Sequence, residues 1–149
     1  MTLLGPIHHG RRGHAFAAAA RDVGAECYLE EEYVLEGTAV PYEWPIGRTP
    51  AADGRWRVVE DDARPFRTRV LIRRPFDPAH FNGCVVVVWV DVTAGFDVLE
   101  WETDESLNGC AWAFVSAQHV GVHGWRGTTD GGLVGWDPER YGALHIDHD

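Results

Sequence analysis

The chain has 149 residues, 45% of them hydrophobic and 24% charged, with seven Trp, six Phe and four Tyr; this describes one packed domain, or part of one, and excludes a disordered chain. All thirteen basic residues are Arg, set against 23 acidic residues for a net charge of -10, so nucleic acid is not an expected partner: binding there requires clustered cations. No apolar run approaches the roughly 18 residues of a membrane span.

Residues 1–25 mix Gly, His, Arg and Ala without periodicity and are expected to form a loose N-terminal arm. The Arg11-Arg12 pair and the alanines behind it are too short and too weakly apolar for a signal peptide. Cys27, Cys84 and Cys110 are odd in number and lack CxxC spacing, so they suggest neither a disulfide framework nor a zinc knuckle. Unpaired thiols suit a reducing compartment, and cytoplasm is the expected location.

Tyr28 to Ala39 alternates apolar or aromatic residues with acidic ones and is predicted as a first strand, closed at Gly37. Pro41 to Asp62, with three prolines, reads as an excursion. A second strand is predicted over Phe66 to Arg74, where Arg alternates with apolar residues, giving one buried face and a solvated face carrying the arginines; Pro75 ends it. Cys84 to Val90 is a continuous β-branched run, expected to be a central strand buried on both faces.

Asp97 to Leu107 places Val98 and Trp101 on one helical face, with acidic residues in the first turns, and predicts a crossover helix stopped by Asn108-Gly109. Ala111 to Ala117 then supplies a fourth strand, parallel to the third in a βαβ unit. The fold class is therefore α/β. From His119 onward Gly and polar residues dominate, and their glycines are too irregularly spaced for a phosphate loop.

Phe81-Asn-Gly-Cys-Val-Val-Val-Val-Trp-Val-Asp-Val-Thr-Ala-Gly-Phe-Asp resembles the third strand and following loop of the α/β-hydrolase family of esterase-like proteins. Four more stretches resemble that family in the same order: Glu30-Glu-Glu-Tyr with Gly37-Thr38, Thr68 to Pro75, Ala111 to Val122, and Trp136 to Leu144. The resemblance implies an N-terminal portion of a mostly parallel hydrolase sheet, an antiparallel pair followed by the βαβ unit, over residues 26–149. It also implies cofactor-free hydrolysis of an ester or related acyl bond by a Ser-His-acid set. One position departs from it: Asp91 stands where the family pattern leads us to expect Asn.

The catalytic set itself is missing from this sequence. There is no Gly-x-Ser-x-Gly turn, and the only serines are Ser106, in the predicted helix, and Ser116, at the end of the fourth strand, where a backbone-bonded role is expected. The expected catalytic residues are therefore none, and a small-molecule ester substrate is expected only if a missing C-terminal part completes the domain. What the resemblance does imply here is part of an oxyanion hole, a backbone amide at Val92 or Thr93 after the third strand.

Two other readings remain. His119 with His123, and His145 with Asp147, His148 and Asp149, hold metal-ligand chemistry, but a four-residue spacing converges only on a helix and Val-Gly-Val makes a poor one, so no metal is expected. Trp44, Trp56, Trp125 and Trp136 would suit a non-catalytic binding module with an aromatic surface.

Overall fold

The computed structural model describes residues 1–47, 49, 52–99, 103–127 and 131–147. Their framework is a five-stranded mixed sheet built from β1 (Thr2–Leu4), β2 (Tyr28–Ala39), β5 (Arg64–Pro75), β6 (Val85–Trp89) and β7 (Ala111–Val115), ordered β1-β2-β5-β7-β6. A small separate hairpin pairs β3 (Tyr42–Glu43) with β4 (Val59–Glu60) inside the expected excursion, and brings Trp44 and Trp56 into an edge-to-face contact at 5.7 Å.

The long β2/β5 ladder runs from Tyr28↔Pro75 to Ala39↔Arg64. Its register explains the alternation in both strands: Glu30 faces Arg73 and Glu36 faces Arg67, so complementary charges meet across the pair. The solvated arginine face expected for β5 is corrected here. Arg69 and Arg73 are 0% and 1% exposed, because the N-terminal segment and the C-terminal helices pack over that face.

β6 and β7 pair in parallel, Val85↔Ala111 through Trp89↔Val115, and β7 is antiparallel to β5. The expected crossover helix over Asp97 to Leu107 is absent: Val98 makes an isolated bridge to Asp91, and a 3-10 turn at Asp104–Leu107, capped by Thr103, is the helical structure among the described residues of that stretch. Trp101 lies outside them. The segment's acidic residues supply dipole complementarity but too few apolar positions to bury a full helix.

The position of β6 is the third correction. Expected at the centre of the sheet, it is an edge strand: Val86 and Val88 turn inward, while Val85, Val87 and Trp89 are 58%, 68% and 70% exposed. A β-branched run signals that a strand can be covered on both faces, and among the described residues nothing covers the outer face of this one.

Residues 1–25 are not a loose arm. β1 pairs with β2, Ile7 N–H donates to the Glu32 carbonyl, and Ala15 joins Leu71, Val90 and Phe114 in one core cluster. Beyond β7 the described residues of the Gly-rich stretch fold as three short helices, α1 (His119–His123), α2 (Gly132–Trp136) and α3 (Pro138–Tyr141), which with Leu144 bury Val122, Leu133 and Tyr141 in a second cluster. No helix among the described residues is long and apolar enough to cross a membrane.

Candidate functional site

The candidate site is the loop that leaves β6. Val90 is buried and donates to the Val115 carbonyl, and the Val98 amide donates to the Asp91 carbonyl at 2.8 Å, closing the loop at its base. Within it, the Gly95 amide bonds the Val92 carbonyl at 2.8 Å. Gly95 is required twice over: its φ is +86°, and a Cβ there would stand 2.4 Å from the Trp125 indole nitrogen.

Of the two expected oxyanion donors, Val92 is buried and Thr93 exposed. Asp91 Oδ1 accepts from both the amide (3.0 Å) and the hydroxyl (2.6 Å) of Thr93. The Thr93 hydroxyl, then its amide, then the Val92 amide hold the Asp91 carboxyl below the usual carboxylate range. The nest of donors thus already contains an anion, and a developing oxyanion would have to displace a carboxylate of its own sign.

Beneath the loop lies a charged network that the sequence reading missed. Asp97, 2% exposed, accepts from the Ser116 hydroxyl at 2.5 Å and stands 3.7 Å from the Arg69 guanidinium. Gly121 of α1 makes room for it, since a Cβ at that position would fall 2.1 Å from Asp97 Oδ1. Burial pushes the Asp97 carboxyl up, against the lowering effects of Arg69 and Ser116.

Arg69 also pairs with Glu32 at 2.9 Å, and Glu32 in turn accepts from the Tyr141 hydroxyl (2.7 Å) and Arg140 Nε (2.6 Å). Tyr141 is driven well above the ordinary phenol range, first by its own burial. The network joins β2, β5, β7, the loop and α3. Its sequence signal was the acidic run 30–36 opposite the arginines of 67–74, complementary charges on two strands expected to pair.

Neither serine is available as a nucleophile. Ser116 is 1% exposed and its hydroxyl is committed to Asp97, a carboxylate where a backbone partner was expected; Ser106 is 6% exposed with its hydroxyl against Thr103. The histidines behave differently from expectation: α1 forms, placing the His119 and His123 rings 4.6 Å apart and His145 6.3 Å from His123. The first two are spent on the backbone of one residue, His119 Nδ1 on the Ile146 carbonyl and His123 Nε2 on the Ile146 amide. Among the described residues no group of three or more His, Cys, Asp or Glu is arranged to hold a metal ion; His148 and Asp149 lie outside them.

Of the four tryptophans considered for an aromatic surface, Trp136 packs between His14, Phe16 and Tyr141 with Arg12 over its ring, while Trp44, Trp56 and Trp125 stay exposed.

A mixed α/β sheet with a tight loop closing directly after its parallel strand, and no exposed serine beside that loop among the described residues, defines a hydrolase-like scaffold more clearly than a working centre. The family comparison agrees: a family model described as alpha/beta hydrolase domain matches residues 3–149, and the chain belongs to that family. Comparison with curated proteins and with solved structures finds no match.

Proposed function

We propose that these residues are a partial hydrolase domain: the scaffold and the oxyanion-side loop, Val92 and Thr93, of an enzyme that cleaves an ester or related acyl bond, without the nucleophile. The observation that carries this reading is the state of the two serines, both buried and both bonded. Acyl transfer of this kind needs an exposed serine, held on a strained turn and deprotonated by histidine. That set would have to come from other polypeptide, with a small ester as substrate and no cofactor. Asp91 would also have to release the loop amides before they could hold an oxyanion.

The chain by itself is therefore expected to give no turnover of small chromogenic esters. Measured activity that a serine-directed phosphonate abolishes would overturn the proposal. A second reading, a non-catalytic binding module, is favoured by the exposed apolar residues of β6 and by the Trp44–Trp56 pair. It predicts a monomer that melts in one sharp transition, whereas a partial domain should associate or melt broadly.

A further inference from the structure

Cys84 and Cys110 immediately precede the two parallel strands β6 and β7. The register Val85↔Ala111 sets them opposite one another, and the Ala111 amide donates to the Cys84 carbonyl at 2.9 Å. Alternation along the strands turns both side chains to the face that carries Val86, Val88, Trp112 and Phe114. Adjacent strands lie about 4.8 Å apart, inside the roughly 4.4 to 6.8 Å that a disulfide spans between α-carbons.

The surroundings hold the pair in place and leave it accessible. Asn82 grips both ends, its Oδ1 accepting from the Cys84 amide (2.8 Å) and its Nδ2 donating to Cys110 Sγ (3.3 Å). The Tyr28 hydroxyl donates to the Cys110 carbonyl. Cys84 is exposed and Cys110 half-buried, so an incoming reagent meets Cys84 first.

We propose that Cys84 and Cys110 are a dithiol that closes reversibly to a disulfide by exchange with a small-molecule disulfide, fastening edge strand β6 to β7. The Cys84 thiolate attacks the external disulfide, breaking its S–S bond and releasing one thiol. Cys110 sulfur then attacks Cys84 sulfur in the mixed disulfide and releases the second thiol. The external disulfide takes up the two electrons and two protons that the cysteine pair gives up. The link closes the segment from residue 84 to residue 110, which includes the Asp91–Val98 loop, and so constrains the open edge of the sheet when the surroundings become oxidising.

The neighbouring Cys110 raises the Cys84 thiol, and exchange runs through the thiolate, so it should accelerate as pH rises. The test is a titration of the folded full chain with oxidised glutathione, followed by peptide mapping without reductant. The expected result is one internal link joining the peptides of Cys84 and Cys110, reversed by dithiothreitol. It should come with a rise in Tm of about 5 to 15 °C. Cys27→Ser should leave both readouts unchanged and Cys84→Ser should remove both; if Cys84→Ser does not fold, the map of the unaltered chain decides. Persistent glutathione adducts on the two cysteines without an internal link, or a product dominated by Cys27 cross-links between chains, would overturn the proposal.

Discussion

Asp97 shows how a single carboxyl can set a pH dependence. It is buried, bonded to Ser116 and within reach of Arg69, yet its Oδ1 has no hydrogen-bond partner among the described residues. Desolvation dominates, so the folded chain holds this proton above the ordinary value of 3.8, where the unfolded chain has already released it. The folded state then binds more protons, and this group's contribution to stability falls as pH rises from 3.8 through the folded value, remaining level above it. Asp97→Asn keeps an acceptor for Ser116 and removes the titration. In urea unfolding across about pH 4 to 7, the variant should lose less stability with rising pH than the parent; parallel profiles would refute the assignment. Asp91 and Asp137, both held below the ordinary range, give the opposite slope but contribute it equally to both proteins.

At the scale of elements, the β2/β5 ladder and α3 are joined through Glu32. Its carboxylate accepts from Tyr141 and Arg140 and pairs with a wholly buried Arg69, so removing it leaves buried guanidinium charge without its nearest carboxylate. Buried pairs of this kind add little over well-packed apolar residues, but breaking one side typically costs about 3 to 5 kcal/mol. Glu32→Ala should lose stability of that order in denaturant unfolding, and α3 should be detached, read as faster amide exchange at Tyr141. Glu36→Ala, whose partner Arg67 is half-exposed, should cost about 1 kcal/mol or less. The same reasoning holds for Asp137, buried at the start of α3: desolvation raises it, but donation from the Arg12, Arg11, Arg140 and Glu139 amides prevails, tying the N-terminal segment to the last helix.

Over the whole molecule the two faces of the sheet differ. One carries the charged network and both core clusters, under the N-terminal segment and the short helices. The other shows Val85, Val87 and Trp89 to solvent along an edge strand that has neither a charge nor a proline. Such an edge invites association. Val87→Lys, at a position 68% exposed, should shift sedimentation toward the monomer while changing unfolding stability by no more than about 0.5 kcal/mol.

By itself the sequence determined the strands and the family. β2, β5, β6 and β7 follow from alternation and β-branched runs, which are local properties of the chain. The family was legible because five stretches fall in a fixed order, and the missing Gly-x-Ser-x-Gly turn needs no coordinates to be noticed. The loop that carries Val92 and Thr93 was legible as a segment, but its state was not, because donation from Thr93 to Asp91 depends on how the turn closes. Only the tertiary structure decided which face of β5 is buried. Alternation marks two faces without saying which is inside, and paired glutamates let the arginine face be the inner one. Tertiary packing likewise placed β6 at an edge, fixed the N-terminal segment in the core, and formed α1 where Val120-Gly121-Val122 gave little helical preference, since burial against Leu133 outweighs local propensity.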